Sequence, residues 1–140
     1  MSKTSPPCCL ADTLDLQAGE GWRLQIDCSR QPFVVLIGGR GWAAELTAAE
    51  AVTMRKAVLR LREQLQATAP LLMAEETLEL EYDSGGLWLQ LSGLVHAWAL
   101  RFVLTSADDG AGSPSRGLEG SWDVGAAAAF AAALEAAVLP

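Results

Sequence analysis

The sequence predicts an α+β fold: a duplicated strands-then-helix unit, with antiparallel sheet packed by two helices. Three observations carry the prediction. Leu24-Gln25-Ile26, an apolar run, Gly41-Trp42 and an amphipathic helical segment follow one another, and Leu89-Gln90-Leu91, a second apolar run, Gly120-Ser121-Trp122 and an Ala-rich segment repeat that order. The connections between neighbouring strands are too short for the crossovers that parallel pairing requires. At 140 residues the chain is long enough for one core and too short for two. The expected organisation is a flexible N-terminal segment over residues 1–19 and a single domain over 20–140, with pseudo-repeat units at 21–70 and 76–139.

Each element has a local reason. Trp22, Leu24 and Ile26 alternate with Arg23, Gln25 and Asp27, the period of a half-buried strand. Phe33 to Ile37 is wholly apolar and ends at Gly38-Gly39, as a central strand closed by a turn would. Trp42, Ala44 and Leu46 alternate again. Thr47-Ala-Ala-Glu50 then reads as a capping box opening a helix with Met54, Val58, Leu61 and Leu65 on one stripe and Pro70 as its stop. In the second unit Leu78, Leu80 and Tyr82 alternate with acids, and Ser84-Gly85-Gly86 turns the chain into Leu87–Leu91. A longer strand is expected from Val95 to Thr105, with Trp98, Leu100, Phe102 and Leu104 on one face. Residues 107–116 have loop composition, a short strand spans Gly117–Trp122, and the last helix carries Phe130, Leu134 and Val138 on its stripe.

Composition excludes several classes. There are 17 Asp and Glu against 10 Lys and Arg, a net charge of −7, which repels phosphate backbones and anionic membrane surfaces. No apolar run reaches the roughly 20 residues of a membrane span, and the first residues lack an apolar signal region, so a cytoplasmic protein without membrane partners is expected. Cys8, Cys9 and Cys28 form no Cys-x-x-Cys pair and the single histidine is His96, so neither a metal site nor a cofactor is assigned. The thiols are expected to be reduced and structural.

No catalytic set stands out. His96 is the sole neutral-pH base and falls within an apolar strand pattern. Glu75 and Glu76 are adjacent and do not converge on one face. Gly38-Gly39-Arg40-Gly41 has the glycines of a phosphate loop without its Lys-Ser/Thr, and Trp42 opens a strand rather than a helix. Two surface features remain. Trp88 falls off the apolar parity of Leu87, Leu89 and Leu91; with Gln90, Arg23 and Arg101 it forms a candidate binding surface. Arg55, Lys56, Arg60 and Arg62 form a candidate basic patch on the first helix, Lys56 and Arg60 facing away from its apolar stripe.

Several segments resemble a cyanobacterial family of unknown function. They are Gly21-Trp22-Arg23-Leu24, Leu36-Ile37-Gly38-Gly39, Trp42-Ala-Ala-Glu45-Leu46-Thr47-Ala-Ala-Glu50, Leu72-Met73-Ala-Glu75-Glu76, Leu87-Trp88-Leu89, Gly93-Leu-Val-His96-Ala97 and Leu118-Glu119-Gly120-Ser-Trp122. The resemblance runs from residue 20 to 139. It implies a fold similar to the Whirly single-stranded-DNA-binding transcriptional regulators, in which a sheet-plus-helix unit occurs twice. The Whirly Lys-Gly-Lys-Ala-Ala-Leu motif has no counterpart in this chain. The expected function is therefore a non-enzymatic interaction module that binds a protein partner or self-associates as a homo-oligomer. Single-stranded nucleic-acid binding is the alternative, disfavoured by charge, and a small enzyme without a recognisable motif is the third reading.

Overall fold

The structure is a computed structural model and describes residues 14–105 and 116–140. It is built from two four-stranded antiparallel meanders, each followed by a helix. The first sheet runs in the order β1 (Leu14–Gly19), β2 (Trp22–Asp27), β3 (Val35–Gly39) and β4 (Trp42–Leu46), and leads into α1 (Ala48–Thr68). The second runs β5 (Leu78–Ser84), β6 (Leu87–Leu94), β7 (Ala97–Thr105) and β8 (Gly117–Trp122), and leads into α2 (Ala126–Ala136). The duplicated α+β unit expected from the sequence is thus present, divided between two sheets.

Alternation sets the faces. In the first sheet Ile26, Val35 and Leu46 lie opposite one another on the inner face, and Leu91, Leu100 and Trp122 do the same in the second. All six are buried. The register also refines the repeat: Trp122 occupies the place of Leu46, so the two Gly-Trp segments that mark the repeat in sequence are not structural equivalents.

Both tryptophans nevertheless join the sheets. Trp42 Nε1 donates to the Ser121 carbonyl at 3.0 Å, and Trp122 Nε1 donates to the Gly38 carbonyl at 2.9 Å. Their rings meet edge-on with centroids 5.1 Å apart, and Trp122 stacks on Phe130 of α2 at 4.0 Å. Such pairs add about 0.5–1.5 kcal/mol each beyond the area they bury. Gly39 and Gly120 make room for this: a Cβ at Gly120 would stand 2.7 Å from the Trp42 ring, and one at Gly39 would stand 2.8 Å from the Ser121 carbonyl.

The helices do not stay with their own sheets. α1 lies mainly across β5 and β6, while α2 reaches back to β2 and also bears on β7 and β8. The capping box of α1 forms as expected, with Glu50 N donating to Thr47 Oγ1 at 3.1 Å and Thr47 N to Glu50 Oε1 at 2.9 Å. The helix ends at Thr68 and passes into a short 3₁₀ turn, Ala69–Leu71, that contains Pro70.

Four expectations need correction, and a fifth falls largely outside the described residues. The supposed lead-in includes β1, because Leu14–Gly19 pairs with the whole of β2; residues 1–13 lie outside the described residues. His96 is not within a strand: β6 extends to Leu94, and His96 sits exposed in the Val95-His96 turn before β7. Val138 is not on the stripe of α2, which ends at Ala136 and leaves Val138 exposed. The expected loop 107–116 lies outside the described residues except for Arg116, which is held as set out below. Cys28 is disulfide-bonded rather than a reduced thiol, and the other cysteines, Cys8 and Cys9, are outside the described residues.

Candidate functional site

On β6 the leucines at 87, 89 and 91 turn inward and are fully buried, which sends Trp88 and Gln90 to the outer face. Register then builds a surface around them. Asp83, Trp88, Val103 and Glu119 form one row across the sheet, and Glu81, Gln90, Arg101 and Ser121 the next. Directly opposite residues share a face and sit within side-chain reach. Trp88 Nε1 donates to Glu81 Oε1 at 3.0 Å, and the Arg101 guanidinium carbon stands 5.8 Å from the ring centroid, within cation–π range. The half-buried indole is thus fixed from two sides.

The face is acidic. Glu79, Glu81, Asp83 and Glu119 share the parity of Trp88, and Arg101 is the cation among them. The field over this face is therefore negative.

Of the four residues in the candidate binding surface, three come together: Trp88, Gln90 and Arg101. Arg23 does not join them. It lies on the outer face of the first sheet, opposite Ala18 and Gly38, and borders a shallow cleft of about 830 Å³ with Trp22, Arg40 and Trp42. Charge in that cleft is largely offset, because Arg40 Nε meets Asp123 Oδ2 at 2.7 Å and Arg40 Nη2 meets Glu20 Oε1 at 3.5 Å. The Asp123 hydrogen bond holds the Arg40 guanidinium above its already high pKa. At the far end of β2, Asp27 accepts from Ser29 Oγ at 2.6 Å and from Ser29 N at 3.1 Å, which keeps its carboxyl below the usual aspartate range.

The candidate basic patch divides in two. Arg55 Nη1 donates to the Ala137 carbonyl at 2.8 Å, and Arg62 Nη1 pairs with Glu135 Oε2 at 2.6 Å, so both clamp α1 to the C-terminal segment. Lys56 and Arg60 remain exposed, flanking Leu59 and Tyr82 in a groove of about 410 Å³ that also contains Glu63. Two cations beside one carboxylate are a weak electrostatic footprint for a phosphate backbone.

Arg116 makes a tertiary contact that sequence reasoning misses. It donates to the Glu45 carbonyl at 2.7 Å, pairs with the capping residue Glu50, and lies over the Phe33 ring at 4.6 Å. One guanidinium therefore ties β8 to β4 and to the start of α1. Its sequence neighbourhood, rich in Gly and Ser, gives no signal of this. Of the residues weighed for catalysis, His96 is an exposed turn residue, and Glu76 Oε1 accepts from Met73 N at 3.1 Å in a local turn. Among the described residues no group of three His, Cys, Asp or Glu is placed to hold a metal ion, and no helix is long and apolar enough to cross a membrane.

Comparison with known proteins is consistent with this architecture. A family described as a domain of unknown function, DUF1818, matches residues 17–137. The crystal structure of a protein with unknown function from the DUF155 family of Prochlorococcus sp. NATL2A is similar, with a TM-score of 0.77 and 31% sequence identity over 87% of this chain and 96% of that one. No curated protein matches the chain.

Proposed function

The chain belongs to the DUF1818 family, a domain of unknown function, and from that premise we propose that it is a non-enzymatic interaction module whose outer second sheet binds a basic segment of a protein partner. The observation that supports this reading is Trp88, held between Glu81 and Arg101 on a strand face that also carries Glu79, Asp83 and Glu119. A fixed aromatic loses little conformational entropy on binding, and aromatic anchors of this kind dominate interface energetics. The surrounding carboxylates select for arginine or lysine on the partner and against nucleic acid.

The test is fluorescence anisotropy of a labelled arginine-rich peptide and of labelled single-stranded DNA, each titrated at about 50 mM salt, where electrostatic binding is strongest. Saturable peptide binding is expected, with Trp88→Ala weakening it by about 2 kcal/mol, roughly thirtyfold in Kd. A flat peptide curve beside saturable, salt-sensitive DNA binding would overturn the reading and favour the Whirly-like alternative.

A further inference from the structure

We propose that β1 is a self-association edge, through which two copies of this chain pair antiparallel about a two-fold axis and join their first sheets into one eight-stranded sheet. The proposal concerns a different surface from the Trp88 face and does not depend on it.

Among the described residues, the edge strands of the two sheets are not alike. β5 carries Glu79, Glu81 and Asp83, and repulsion between such rows discourages edge-to-edge pairing. Along β4, the Arg116 guanidinium bonds to the Glu45 carbonyl. β1 has a single charge, Asp15, and no lysine or proline. Among the described residues it pairs with β2 alone, yet it presents Leu14 at 53% and Leu16 at 55% exposure. These leucines are on the outer face: Leu16 lies opposite Gln25 and, through it, Leu36, whereas the helices pack on the inner side.

The occupant follows from self-complementarity. In an antiparallel pair about a two-fold, directly opposite residues must share a face, so registers shift in steps of two residues. Centring the axis on Leu16 sets Leu16 against Leu16, Leu14 against Ala18, and Asp15 against Gln17. The apolar side chains of the edge then meet one another, and each carboxylate faces an amide. A slip one way sets Asp15 against Asp15, a like-charge pair that destabilises. A slip the other way leaves Leu14 beyond the strand, opposite Glu20. A closed, isologous dimer is the commonest assembly for a patch of this kind.

Sedimentation velocity on the full chain, from low micromolar to submillimolar concentration, tests the proposal. A concentration-dependent monomer–dimer equilibrium is expected. Leu16→Lys sets two ammonium groups face to face and should leave a monomer throughout the same range, with an unchanged circular dichroism spectrum. Gln17→Lys supplies a cation opposite each Asp15 and should tighten the dimer; in the register that sets Leu14 opposite Glu20 it would face itself and weaken it. Trp88→Ala should leave the dimer intact even where it abolishes peptide binding, which separates the two readings. A natural chain that is monomeric at every concentration, or a dimer that persists in folded Leu16→Lys, would overturn the proposal.

Discussion

Gly120 concentrates the residue-scale chemistry of this molecule. The Trp42 ring lies so close that an alanine methyl would intrude on it at 2.7 Å, and the ring is itself anchored through its Nε1 bond to Ser121. Gly120→Ala is therefore expected to destabilise the protein by about 1–3 kcal/mol through overpacking, read as a lower urea midpoint at unchanged m-value. The glycines around Trp42 are plain in the sequence, but their purpose is not. Gly38-Gly39 reads locally as a turn, and what requires Gly39 to be bare is the Trp42 ring across the strand pair together with the Ser121 carbonyl of the other sheet. Trp88 is the opposite case. Its outward direction follows from parity with Leu87 and Leu89, and its neighbour Gln90 follows from the same period of two. Pairing Trp88 with Arg101 instead of Arg23 needed the β6–β7 register, which strand patterns alone do not fix.

Elements were legible where the stabilising contact is local. The capping box of α1 spans four residues, so Thr47 and Glu50 announce it, and the structure forms both of its hydrogen bonds. Thr47→Ala removes one of them and should cost about 1 kcal/mol, measured as a lower midpoint in thermal or denaturant unfolding. Glu50 is worth more than a cap, since Arg116 also pairs with it. The Ala-rich α2 gave a poorer reading. Alanine is small enough to be buried or exposed at little cost, so a stripe drawn through Phe130 and Leu134 extends in sequence to Val138 with nothing to stop it. In the structure the Leu134 carbonyl accepts from Ala137 N, and Ala137 is already extended. The basic cluster on α1 failed for a related reason. Arg55 and Arg62 sit at the flank of the apolar stripe, where the neighbour proves to be the C-terminal segment some eighty residues on.

At the scale of the whole molecule the repeat predicts two similar halves, and the packing makes them interdependent. The apolar stripe of α1 is covered mainly by β5 and β6, and α2 bears on β2. The Trp42 and Trp122 bonds cross between the sheets in both directions. One cooperative unfolding transition is therefore expected: far-UV circular dichroism and tryptophan emission should trace the same urea curve, whereas two resolved steps would mean that the halves are separable. The duplication was legible because each unit writes its own alternation, turns and helix. Which helix covers which sheet was not, since any apolar stripe fits any apolar face until the connections are known. This exchange also sets a timetable for synthesis. When α1 leaves the ribosome, the strands that will cover Met54, Val58, Leu61 and Leu65 have yet to be made. At ordinary elongation speeds that interval lasts roughly a second or more. The nascent chain thus carries an uncovered greasy stripe until β5, β6 and finally α2 have emerged.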